Sequence, residues 1–90
     1  MTLTFGISDN FRKVLDKLAR KDRNLAIAVR KKIDQIVSSD AKTIEHFKNL
    51  RGDMSHLKRV QVGSFILTFR VEGNTLFFED FDHHDRIYSK

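Results

Sequence analysis

The sequence contains no cysteine, no proline and no tryptophan, and only four glycines and one tyrosine in 90 residues. Without cysteine there is no disulfide framework and no thiolate metal site, a composition that suits a reducing compartment. There is no proline-rich linker, no low-complexity tract and no internal repeat. No apolar run approaches the roughly 20 residues of a membrane span, and the first residues lack a secretory pattern. These absences point to a soluble, cytoplasmic protein with no membrane partner. Ninety residues make one domain, 1–90, with a modest core.

What the chain has in excess is positive charge. Seventeen Lys and Arg stand against twelve Asp and Glu, giving a net charge of +5. A small basic domain meets nucleic acid or an acidic protein, because excess cations attract any polyanion.

The stretch from Leu57 to Tyr88 organises the fold. Gly63-Ser64 and Gly73-Asn74 divide it into three runs rich in Val, Ile, Phe and Thr. Strand runs separated by two turn-forming residues predict hairpins, here a three-stranded antiparallel meander. The first turn pairs Val62 with Phe65, Gln61 with Ile66 and Arg59 with Thr68. The second pairs Val71 with Leu76, Arg70 with Phe77, Phe69 with Phe78, Thr68 with Glu79 and Ile66 with Phe81. Alternation then gives a core face with Val60, Val62, Phe65, Leu67, Phe69, Val71, Leu76 and Phe78. The opposite face carries Arg59, Gln61, Ile66, Thr68, Arg70, Phe77, Glu79 and Phe81, too apolar for a purely solvated surface. Ile66, Phe77 and Phe81 on it are a candidate partner-binding patch. This register leaves Asp80 awkwardly on the core face.

Upstream, Thr2 to Ile7 alternates and predicts a strand joining the sheet. Ser8-Asp9-Asn10 signals a helix start, and Phe11, Val14, Leu15 and Leu18 carry a helical stripe over about residues 8–20. Asp22 is placed to cap a second helix, whose buried stripe is Leu25, Ala28, Val29, Ile33, Ile36 and Val37 and which fades at Ser38-Ser39-Asp40. The tight link makes an antiparallel helix hairpin on one sheet face. Ile44, Phe47 and Leu50 allow a short helical turn. The layout is α+β, with the helices on one side of a mainly antiparallel sheet. The outer helix faces are rich in Lys and Arg, as either an ordinary solvated surface or a polyanion-facing one. Arg20, Lys21 and Arg23 cluster at the helix turn. Lys48, Arg51 and Lys58 are further phosphate-contact candidates.

The ending His83-His84-Asp85-Arg86-Ile87-Tyr88 reads as a polar tail. Its histidines are open to three roles: hydrogen bonding within the tail, contact or acid chemistry on RNA, or a metal site with Asp80, Asp82 or Asp85. No distant ligand pair is evident for the third, so neither metal nor cofactor is expected.

Three motifs, Leu50-Arg51-Gly52, Arg59-Val60-Gln61-Val62-Gly63-Ser64-Phe65 and the His83–Tyr88 ending, resemble the RelE/ParE superfamily of toxins from type II toxin–antitoxin systems. The resemblance follows the element order of nearly the whole chain. It implies a RelE-like fold, an antitoxin partner and, for the RelE branch, metal-independent cleavage of messenger RNA on the ribosome. In that chemistry a 2′-hydroxyl attacks the adjacent phosphate, which calls for a base, cations and an acid.

Carried over by position, Arg59 is the retained strand cation and Tyr88 the retained terminal aromatic. Gln61 and Ile66 stand where the family often has cations, and His84 where it has an arginine. His83 or His84 as acid, Glu45 or Glu79 as base and Arg86 beside Arg59 as cations complete the implied set. Ile66, Phe77 and Phe81 are expected under the antitoxin or the tail. The departures at Gln61 and Ile66 leave two rivals: a ParE-like inhibitor of DNA gyrase, and a catalytically degenerate binding module.

Overall fold

Two glycines set the sheet. Gly63 and Gly73 have φ of +62° and +58°, the left-handed region that a residue with a Cβ resists. They open the two tight turns that join β2 (Lys58–Val62), β3 (Phe65–Glu72) and β4 (Thr75–His83) as consecutive hairpins. The computed structural model describes residues 4–50 and 55–89, without the side chains of Ala41, Tyr88 and Ser89. Leu3, Arg51, Gly52 and the Tyr88 ring therefore lie outside the described residues.

The N-terminal strand β1 (Thr4–Ile7) runs parallel to β4, and the sheet order is β1-β4-β3-β2. The first hairpin has the expected register, with Arg59 opposite Thr68 and Gln61 opposite Ile66. The second keeps the expected pairs from Val71–Leu76 to Phe69–Phe78, then shifts by one residue. Thr68 faces Asp80 rather than Glu79, and Ile66 faces Asp82 rather than Phe81.

This bulge resolves the awkward Asp80. An uninterrupted ladder would have aimed a carboxylate into the core and a phenyl ring out of it. One extra residue in β4 reverses every later side chain. Phe81 now pairs with Leu67, stacks on Phe65 at 5.2 Å between centroids and is buried. The Asp80 carboxylate accepts from the Asn10 side chain at 3.0 Å and the Phe81 N–H at 2.8 Å. Burying a phenyl group contributes roughly 1.5–3 kcal/mol, whereas burying an unpaired carboxylate costs more than that.

Three short polar side chains start the helices. Ser8 caps α1 (Asp9–Lys21), accepting from the Phe11 N–H at 3.0 Å while its hydroxyl donates to the Glu79 carbonyl at 2.7 Å. The cap thus ties the helix to β4. Asp22 accepts from the Leu25 N–H and starts α2 (Arg23–Ser38). Asp40 accepts from the Thr43 N–H at 2.8 Å and starts α3 (Ala41–Glu45). That hydrogen bond, with Thr43's side chain next, holds the Asp40 carboxyl below its ordinary value of 3.8.

α1 and α2 pack on one face of the sheet. Their Phe11, Val29, Ile33 and Ile36 meet Leu67, Phe69, Leu76, Phe78 and Phe81 in the main core. The opposite face is not bare. Ile66 is buried there in a second cluster with Leu50, Leu57 and Ile87. Ile87 belongs to α4 (His84–Ser89), so the expected polar tail is a short helix. A helix forms because His83 accepts the Asp85 N–H on Nδ1 at 3.3 Å, and Ile87 gives it an apolar anchor.

Candidate functional site

Residues 47–50 and 55–59 build one side of the candidate site. The chain before β2 folds back on it: Arg59 N–H donates to the Lys48 carbonyl at 2.8 Å, and Leu50 N–H to the Leu57 carbonyl at 2.9 Å. Asn49 bridges to Lys58 in the ladder and donates its amide to the Ser55 carbonyl at 2.7 Å. Lys58 turns its ammonium inward, donating to the Phe47 carbonyl at 3.2 Å and Asn49 Oδ1 at 3.4 Å. It braces this loop with the group that was expected to reach a phosphate.

Arg59 is half-buried and shares the sheet face of Gln61 and Ile66, while Lys48, joined to it backbone to backbone, is exposed. Gln61 donates its amide to the Gly63 carbonyl at 2.9 Å. Thr68, opposite Arg59, is buried and gives its hydroxyl to the Asp80 carbonyl at 3.3 Å.

α4 forms the other side. Its first residue, His84, donates its N–H to the Ser64 carbonyl at 3.1 Å, tying the helix to the β2–β3 turn. Ile87 rests in the cluster with Ile66, so α4 lies over the same face that carries Arg59. The His84 side chain is 55% exposed, with Nδ1 3.5 Å from Asp85. His83 is half-buried against the edge of Phe65. Arg86 lines a cavity of about 280 Å³ with Lys17, Lys21, Phe65 and Phe81, and Arg59 is not part of that lining. Among the described residues, no group of three His, Asp or Glu is gathered as metal ligands.

The expected apolar contact patch needs correction. Ile66 is 1% exposed and Phe81 2%, so neither presents a surface to a partner. Ile66 lies beneath Leu50, Leu57 and the Ile87 of α4, and Phe81 was carried to the core by the bulge. Phe77 is half-buried, with the Arg70 guanidinium 4.3 Å from its ring centre. That guanidinium also binds Glu79 at 2.7 Å and contacts Glu72, and the Glu79 hydrogen bond raises its pKa further. Glu79 is thus engaged as the partner of a cation. Glu45 is exposed at the end of α3. Arg20, Lys21 and Arg23 are exposed at the α1–α2 turn.

Sequence reasoning missed the Asn49–Lys58 brace and the Arg70–Glu79 pair. The second was accessible, since Arg70 and Glu79 are diagonal neighbours across a correctly registered hairpin. The first had no pattern to announce it.

No family model matches the chain. It is 42% identical over 81 residues to a Methanocaldococcus jannaschii protein named "Putative toxin RelE4", spanning 87% of this chain and 82% of that one. The chain belongs to the RelE family of toxins from toxin–antitoxin systems. An uncharacterized protein of Methanosarcina mazei is 37% identical over 76 residues, 81% of this chain and 84% of that one. The fold agrees. The RelBE2 toxin–antitoxin complex of Mycobacterium tuberculosis contains a chain similar to this RelE-family toxin, with a TM-score of 0.68 at 19% identity over 93% of this chain and all of that one. A mutant of YafQ from E. coli matches with a TM-score of 0.70 at 12% identity, over 96% of this chain and 98% of that one. A YoeB/ParE toxin of Agrobacterium tumefaciens also reaches 0.70, at 14% identity over 91% and 99% of the two chains.

Proposed function

We propose that this RelE-family toxin cuts messenger RNA in the ribosome, without a metal, and is held inactive by a cognate antitoxin. The observation that carries the reading is the convergence of Arg59 and α4 on one sheet face, joined through the Ile66 cluster. Arg59 supplies positive charge to the phosphate under attack. His84, exposed at the start of α4, is the acid for the departing 5′-oxygen, with His83 behind it. Glu45 is the base. Tyr88, Lys48 and Arg51 hold the RNA strand, and Arg86 adds positive charge at the α1 side of α4. Each contact made only in the transition state is worth about 10²–10³ in rate.

The antitoxin is an acidic segment that folds on binding, matched to a chain of net charge +5. The proposed compartment is the cytoplasm, where ribosomes are met. Among the described residues no helix is long and apolar enough to cross a membrane.

Induced expression of the free chain is expected to stop translation and leave cut transcripts. Arg59→Ala or His84→Ala is expected to abolish both. A second reading, inhibition of DNA gyrase, draws on two observations: Ile66 is buried and Gln61 is turned back onto Gly63, so neither position offers a cation. DNA damage with intact transcripts would favour it.

A further inference from the structure

Lys58 holds the chain on both sides of Lys48. Its ammonium donates to the Phe47 carbonyl at 3.2 Å and to Asn49 Oδ1 at 3.4 Å. Between those contacts, the Lys48 carbonyl accepts the Arg59 N–H at 2.8 Å. Phe47, Lys48 and Asn49 are thus each tied to one of two consecutive residues of β2. Asn49 extends the brace by donating its amide to the Ser55 carbonyl at 2.7 Å. Lys48 itself stays exposed.

Neighbours in a strand point to opposite faces, so Lys58 leaves β2 on the side away from Arg59. It stands opposite Phe69, a main-core residue whose ring meets Phe47 edge-on at 5.7 Å. Lys58 is half-buried, and its ammonium ends on Phe47 and Asn49. A strand of RNA lying over the Arg59 face is out of its reach. On that face Gln61 turns its amide onto the Gly63 carbonyl and Ile66 is buried, so neither position brings a second cation to Arg59. Lys48, carried by a loop, is joined to Arg59 through the backbone. A long side chain on a loose loop delivers its charge to no fixed point, and a misplacement of about 1 Å can cost on the order of 10² in rate.

We infer that Lys58 is a positioning residue for RNA cleavage: it fixes the backbone at Lys48 so that Lys48 and Arg59 bring their charges to one phosphate group together. The inference rests on the cleavage reading above, while the brace itself does not. A compact ammonium suits the task, because its donors on a flexible stem serve a backbone carbonyl and an amide oxygen at once. Lys58 touches no RNA; it acts through Phe47, Lys48 and Asn49.

The test uses the absence of cysteine from the chain. Lys58→Cys carries a single thiol, and alkylation with 2-bromoethylamine in denaturant, before refolding, rebuilds a lysine-like ammonium at that position alone. Each protein is compared with wild type in a reconstituted translation reaction, well below its melting temperature. Lys58→Met and unmodified Lys58→Cys are expected to lower the maximal cutting rate about 10–100-fold and to leave the half-saturating ribosome concentration within about twofold. Aminoethylation should return most of the lost rate. Asn49→Ala, which loses one of the two ammonium contacts, should fall in between. A loss seen only as weaker half-saturation, an unchanged rate, or no recovery in the refolded, aminoethylated chain overturns the inference. Hydrogen exchange supplies an arm that needs no activity. Lys58→Met should speed exchange of the Arg59 and Leu50 N–H about tenfold and spare Phe69 and Phe78. Unchanged exchange at Arg59 overturns the brace. Faster exchange there, with a wild type that cuts no transcript, upholds the brace and overturns the cleavage reading.

Discussion

The two faces of the sheet are built on different scales. The helical face buries Phe11, Phe69, Phe78, Phe81 and seven other side chains into one core. Among the described residues, the opposite face buries four apolar side chains, Leu50, Leu57, Ile66 and Ile87, contributed by two positions before β2, one in β3 and a short helix. One face holds the fold together with long elements. The other is covered by the pieces that carry the candidate site. A small cluster under short elements opens more easily than a core under long helices. Such a face is suited to admitting a strand or a partner, and the larger core lets it do so without loss of the fold.

That contrast sets the order of expected effects. Phe78→Ala, in the main core, is expected to cost about 3–5 kcal/mol, read from urea unfolding, with signals from both faces lost together. Ile66→Ala is expected to cost about 2 kcal/mol and to release α4 first. Hydrogen exchange would show faster exchange at residues 84–89 than at Phe69 or Phe78. Equal acceleration throughout would deny the separation of the faces. Ser8→Ala removes a cap and its bond to β4 and is expected to cost roughly 1 kcal/mol, seen as a lower melting temperature.

The smallest effect is at Asp40. Its carboxyl is held below 3.8, so it adds stability above that value and loses the contribution as pH falls through its lowered folded value. The melting-temperature difference between wild type and Asp40→Asn is expected to shrink as pH drops from neutral into that acid range. A difference independent of pH would contradict the capping role.

Most of the fold was legible because local rules and burial agreed. Gly63 and Gly73 announced both turns, the apolar alternation set the first register, and Ser8 and Asp22 marked the helix starts. The second register was legible up to Phe78. Beyond it, the placement of Asp80 in the core was itself the signal of a bulge, since a carboxylate and a phenyl ring had exchanged places. The candidate site was less legible. Ile66 is covered by Leu57, Leu50 and Ile87, which lie 9, 16 and 21 residues away in the chain, beyond the reach of any local pattern. Lys58 and Phe81 show the consequence: one looked like a phosphate ligand and braces a loop, and the other looked like a contact surface and sits in the core.

The most direct measurement places wild type and Arg59→Ala side by side in a reconstituted translation reaction, after their melting temperatures have been matched. Mapped transcript ends should show cuts within translated codons for wild type, and a rate about 10²–10³ lower for the equally stable variant. Equal cutting by the two proteins, or intact transcripts with the wild type, would contradict the assignment of the Arg59–α4 face as the working surface.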